Sequence, residues 1–134
     1  MESAAAELMR RLYADYDLTT GIPRLLEIAH PDIEIVVAAG WMDMETTFRG
    51  KEGVREYFTG LQEVFGNMRY ELLELEDHGD SLVADIVVHV EGRESGAATS
   101  LPVFQVLWFE DGLLRRVHGF TDRAAALAAV NGAD

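Results

Sequence analysis

The sequence predicts an α+β fold in which helices cover one face of a curved antiparallel sheet. Three observations carry that prediction. Apolar residues in the first half recur at three- and four-residue steps; from Met68 onward they fall in long extended runs separated by short polar turns; and a final apolar stretch has helical composition. At 134 residues the chain is expected to be a single domain spanning residues 1–134, with its core at about residues 5–127.

The first helix is expected from Ala5, Leu8, Met9, Leu12, Tyr13 and Tyr16, which form one buried stripe ending near Asp17. Ile22, Leu25, Leu26 and Ala29 repeat the pattern after Thr20, an expected N-cap. Pro23 sits in the first turn, where its missing N–H costs little, and His30-Pro31 stops the helix. Residues 33–37 are rich in β-branched side chains and predict a strand, followed by an irregular, partly apolar loop over 40–47. A third helix is expected from Val54, Tyr57, Phe58, Leu61, Val64 and Phe65, with Gly66-Asn67 as its C-cap.

Four long strands are predicted next, over residues 68–76, 81–91, 97–110 and 113–121. The connections between them are short: His78-Gly79-Asp80, residues 92–96 and Asp111-Gly112. Short turns make neighbours antiparallel, so these strands form a meander. A short helix over 122–130 ends the fold, with Asn131-Gly132 behind it.

Composition excludes several functions. Asp and Glu total 24 against 11 Lys and Arg, so a net charge of −13 repels nucleic acid and anionic bilayers. There is no cysteine, hence no disulfide, thiolate catalysis or thiolate metal site. No apolar run is long enough to span a bilayer, and the amino terminus lacks a signal-peptide pattern, so a cytoplasmic protein is expected. His30, His78, His89 and His118 show no metal-ligand spacing, and no glycine-rich phosphate loop is present; neither metal nor cofactor is expected.

The element order, together with Gly21-Ile22-Pro23-Arg24-Leu25-Leu26, His30-Pro31-Asp32-Ile33-Glu34, Phe48-Arg49-Gly50-Lys51-Glu52-Gly53-Val54 and Val117-His118-Gly119-Phe120-Thr121-Asp122, resembles the nuclear transport factor 2-like superfamily. It is most similar to the SnoaL-like branch, which includes polyketide cyclase-like and ketosteroid isomerase-like proteins. The resemblance implies a cone-shaped, strongly curved sheet covered by three N-terminal helices, a pocket at the wide end, and often a homodimer. It specifies fold far better than function.

Ketosteroid isomerases use a tyrosine on the first helix, an aspartate base on the first strand and a protonated aspartic acid on a late strand. Here Tyr13 matches the tyrosine, but Val37 stands at the base and Gln105 near the second acid. Valine cannot carry a proton. The final-strand aspartate of limonene-epoxide hydrolases is also missing from Val117-His118-Gly119-Phe120. A SnoaL-type acid/base pair could draw on His118 with His89 or Glu34.

The expected pocket residues are Tyr13, Tyr16, Val37, Trp41, Phe58, Gln105, Leu107 and His118, with Trp41 as a lid and His118 and Tyr13 as the catalytic pair. Gln105 must find a partner for its amide among apolar neighbours. Alternation puts Phe104, Val106 and Trp108 on the opposite face, where they are expected to contact a second copy or to lie under the terminal segment. Two functions follow. One is an isomerase or cyclase of a polyketide- or steroid-like carbonyl compound, in which Tyr13 or Gln105 polarises the carbonyl and His118 moves the proton. The other is a non-catalytic module binding a small apolar molecule.

Overall fold

A computed structural model describes residues 3–14, 21–37 and 47–132. Helix α1 (Ala4–Ala14) starts at Ser3, whose Oγ accepts the Ala6 N–H at 3.1 Å while its own N–H donates to Asp77 Oδ2 at 2.8 Å. It buries Ala6, Met9, Leu12 and Tyr13, the helical stripe expected of them. Helix α2 (Gly21–Ile28) runs straight into strand β1 (Ala29–Val36), four residues earlier than the β-branched run suggests. Pro31 is tolerated there because the pairing of β1 is irregular between Ala29 and Glu34, so no ladder bond needs its missing N–H.

Strand β2 (Thr47–Arg49) leads into helix α3 (Gly50–Val64). Gly50 takes φ +72°, a conformation only glycine adopts cheaply. Gly53 lets the helix lie against β2, since a Cβ there would sit 3.0 Å from the Phe48 carbonyl carbon. Gly66-Asn67 does not cap α3: Phe65 is already extended (φ −110°, ψ 135°), and strand β3 (Phe65–Asp77) begins with it. Phe65 is buried and paired with Gly92, and this sheet contact overrides the local capping signal.

Strands β4 (Ser81–Gly92), β5 (Ala98–Glu110) and β6 (Leu113–Phe120) complete a six-stranded sheet of order β2-β1-β6-β5-β4-β3. The last four strands form the antiparallel meander. Asp111 (φ 55°) and Gly112 (φ 78°) both take the left-handed conformation that a two-residue β5–β6 hairpin demands. The sheet is mixed rather than wholly antiparallel, because β1 joins β6 in parallel. A strand that arrives from the helical half, with β3 to β5 intervening, is free of the short-turn constraint. Among the described residues no helix is long and apolar enough to cross a membrane.

The inner face, under α1 to α3, carries Ile33, Ile35, Val37, Met68, Tyr70, Val88, Val103 and Leu107. On the outer face helix α4 (Arg123–Gly132), capped by Asp122 Oδ1 accepting the Ala124 and Ala125 N–H groups at 2.7 and 3.3 Å, packs Ala126 onto Val83 and Val106. Val106 is therefore fully buried within one chain and is not available to a second copy. Phe104 and Trp108 remain half-buried at the rim of α4.

Candidate functional site

Between the helical layer and the inner sheet face lies a hollow with room for the centres of water-sized molecules over about 40 Å³. Its walls are Ile35, Val37, Val88, Val103 and Val117, with Tyr57, Tyr70 and Gln105 supplying polar groups. A second hollow of about 30 Å³ adjoins it, sharing Ile35, Tyr57, Tyr70, Gln105 and Val117 and adding Tyr13 and Leu107. About 10–15 Å³ of such space holds one water, so each hollow takes a few waters or a compound of a few heavy atoms.

The polar groups follow from strand and helix periodicity. Tyr13 comes from the buried stripe of α1 and Tyr57 from that of α3; Tyr70 alternates with Met68 on β3, and Gln105 with Val103 and Leu107 on β5. The Tyr13 hydroxyl donates to Gln105 Oε1 at 2.5 Å, and Tyr57 shares a hydrogen bond with Tyr70. Tyr57, Tyr70 and Gln105 line both hollows and Tyr13 only the second, so the two bonds set polar groups where the hollows adjoin.

Burial raises the Tyr13 hydroxyl well above the ordinary phenol value. It also pushes Tyr57 up to about 12, against a smaller lowering by the bond with Tyr70. Both stay neutral donors at physiological pH. With Oε1 of Gln105 engaged, its amide nitrogen is the remaining donor. Opposite Gln105 on β6 stands Gly119, which also lines the larger hollow and carries no side chain to fill the space beside the amide.

His118 is not part of this site. Trp108 pairs with Arg116 and Phe109 with Leu114, so Arg115 is an extra residue in β6. That bulge inverts the alternation: Leu114 faces in, whereas Arg116 and His118 face out. His118 instead pairs with Val106 on the α4 side and stacks on Phe120 at 4.1 Å between ring centroids. Partial desolvation, and then the Arg116 charge, lower its pKa. Tyr13 and His118 thus lie on opposite sides of the sheet and cannot act on one substrate atom.

The other acid/base candidates also face outward. Glu34 pairs with Arg49 at 3.1 Å and Arg116 at 3.3 Å, and His89 lies between Glu71 and Ser100. Phe58 is fully buried core and lines neither hollow. Tyr16 and Trp41 lie outside the described residues.

Nothing in the sequence separates Tyr57 and Tyr70 from ordinary core aromatics. The available signal is a hydroxyl on an otherwise apolar stripe, which needs a buried partner. His30, Glu110 and Asp111 also meet, with ligand atoms within 4.8 Å of one another. Yet His30 Nδ1 accepts the Asp32 N–H at 3.0 Å, which puts the proton of the neutral ring on Nε2, 3.2 Å from Glu110 Oε2. The His30–Glu110 contact ties β1 to the β5–β6 hairpin. A wider groove of about 260 Å³ between α1 and α2 lies among Leu8, Arg11, Leu12, Arg24, Glu27 and Ile28 and shares only Leu12 with the inner hollows.

The helix order, the meander and the hollow beneath α1 agree with a sequence match to the family described as the SnoaL-like domain, over residues 9–117. The chain belongs to the SnoaL-like domain family. The SnoaL-like cone recurs in solved structures. TerC, co-crystallised with polyporic acid, is 24% identical with TM-score 0.78, covering 96% of this chain and 99% of its own. An NTF2-like protein from Burkholderia pseudomallei K96243 is 20% identical with TM-score 0.79, covering 93% and 95%. A protein with a ketosteroid isomerase-like fold from Catenulispora acidiphila DSM 44928, in complex with trimethylamine, is 12% identical with TM-score 0.71, covering 96% and 92%. Polyketide cyclase-like proteins are among the further neighbours. No curated protein matches the chain in sequence. At these identities the SnoaL-like neighbours establish the fold, and the chemistry must come from the chain's own residues.

Proposed function

We propose that this SnoaL-like chain is a binding module for a small, largely apolar carbonyl compound, held in the inner hollow with its oxygen on the Gln105 amide nitrogen. The observation that carries this reading is the Tyr13–Gln105 bond. It consumes the amide oxygen, fixes the side chain and leaves an N–H donor beside Gly119 among valine and isoleucine walls. Burying a carbonyl there is favourable only if its oxygen finds such a donor, so the site prefers a ketone or ester to a hydrocarbon of the same shape.

The size of the hollow favours a compound of a few heavy atoms. A polyketide- or steroid-like molecule needs the two adjoining hollows to merge and widen. The fold takes organic ligands in relatives, polyporic acid with TerC and trimethylamine with the Catenulispora protein. Proton-transfer catalysis needs a base at the carbonyl. Among the described residues the carboxylate and imidazole candidates Glu34, His89 and His118 all lie across the sheet from it, and the tyrosine hydroxyls are held neutral.

Isothermal titration of the chain with cyclopentanone tests this reading. Binding is expected, and Gln105→Leu is expected to raise Kd about 3- to 10-fold, the equivalent of one hydrogen bond. Equal binding by the parent chain and Gln105→Leu would refute the role of the amide.

A further inference from the structure

A second constellation lies on the outer sheet face, away from α4 and from the hollow. Ser100 on β5 is directly opposite His89 on β4, and His89 is directly opposite Arg69 on β3, with Glu71 next on the same face. His89 Nδ1 lies 2.7 Å from Ser100 Oγ, and His89 Nε2 lies 2.8 Å from Glu71 Oε1.

The chemistry of these atoms fixes the proton positions. An ionised carboxylate only accepts, so the neutral imidazole carries its proton on Nε2 and donates it to Glu71. Nδ1 is then a lone pair, and the Ser100 hydroxyl donates into it. A serine hydroxyl pointed at an unprotonated imidazole nitrogen, with the ring oriented by a carboxylate on its other nitrogen, is the arrangement that makes serine a nucleophile. Two further features suit reaction. Ser100 is exposed, and β6 joins β5 only from Phe104 onward, so nothing from β6 covers this end of β5. Arg69 forms no ion pair among the described residues and stands in the same cross-strand row, where its guanidinium can face a developing oxyanion.

We propose that Ser100, His89 and Glu71 form a reactive centre on the outer sheet face that takes small activated carboxylic esters. Ser100 Oγ attacks the ester carbonyl carbon as its proton passes to His89 Nδ1. The tetrahedral adduct then collapses, the bond to the leaving alkoxide breaks, and that oxygen takes the proton from Nδ1. Acyl-Ser100 remains. Water attacks it by the same route, giving its proton to Nδ1, and the carboxylic acid leaves as Ser100 recovers its hydrogen. Ser100 and His89 touch the reacting atoms, whereas Glu71 is a positioning residue. With no enclosing pocket, the centre selects by leaving-group reactivity rather than by acyl shape.

The test treats the full chain with p-nitrophenyl acetate, follows p-nitrophenolate release and locates the acetyl group by peptide mass mapping. The expected result is acetyl on Ser100, lost when the chain is unfolded in urea. His89→Gln is expected to slow acylation about 100-fold, the lower end of general-base contributions. Glu71→Gln is expected to slow it about tenfold and shift the midpoint of its pH profile, with partial rescue by Glu71→Asp. Acetyl found only elsewhere, such as on Lys51, equal labelling of the unfolded chain, or acylation of His89→Gln at the parent rate would each overturn the proposal.

Discussion

Replacing Tyr13 by Phe and Gln105 by Leu, singly and together, isolates the bond that organises the inner site. Tyr13→Phe keeps the ring and its packing near Tyr70, whose centroid is 6.2 Å away, and removes only the hydroxyl. Gln105 Oε1 then loses its donor. The adjoining hollow, at about 30 Å³, can admit a water to replace it, so the cost lies at the lower end of the range for an unsatisfied buried group, about 1–2 kcal/mol. Gln105→Leu is close to isosteric but strands the Tyr13 hydroxyl, which is buried and at 3% exposure has little access to solvent; about 1–3 kcal/mol is expected. The double variant removes both polar groups together, so its destabilisation should fall short of the sum by about 1 kcal/mol. Urea unfolding followed by circular dichroism measures all four corners of the cycle. Additivity within about 0.3 kcal/mol would show that the two groups are independently solvated, and the pre-set amide would lose its basis.

Three other outcomes follow from the same structure. Tyr13 and Tyr57 keep their protons in the fold above the pH at which the unfolded chain releases them, so stability is intact below about pH 10 and falls as pH rises. The slope should approach about 2.7 kcal/mol per pH unit for two retained protons, and Tyr13→Phe should halve it in alkaline urea titrations. His118 has a depressed pKa, so the unfolded chain takes up its proton first as pH falls below about 6.5. The stability lost over that interval should be absent in His118→Gln, as read by denaturation midpoints at successive pH values. Asp122→Ala removes the cap of α4 and should cost about 1 kcal/mol, with increased solvent quenching of Trp108 as the helix loosens over the outer face.

Much of the architecture is legible in the residues because it rests on periodicity. The helical stripe through Met9, Leu12 and Tyr13, the long strands and the Asp111-Gly112 turn are local signals, and local signals set element type. Errors arise where pairing competes with local preference. Phe65 joins the sheet instead of letting Gly66-Asn67 cap α3, and β1 starts at Ala29 ahead of its β-branched run because β6 offers it a partner. The site turns on a single residue of register. Without the bulge at Arg115, His118 would share the inward face of Leu114; with it, the imidazole points away from Tyr13. No spacing rule in a single sequence locates such a bulge, whereas Gln105, inside an unbroken alternation, has a readable face.

The chain has two glutamines, Gln62 and Gln105, so selective 15N labelling of glutamine yields a spectrum with two side-chain amide pairs. Titrating that sample with cyclopentanone and following both pairs tests the inner site directly. The Gln105 amide protons are expected to shift as the ketone occupies the hollow, while those of Gln62 stay in place. Ketone binding that leaves the Gln105 pair unmoved, or moves both pairs alike, would contradict a carbonyl held on that amide.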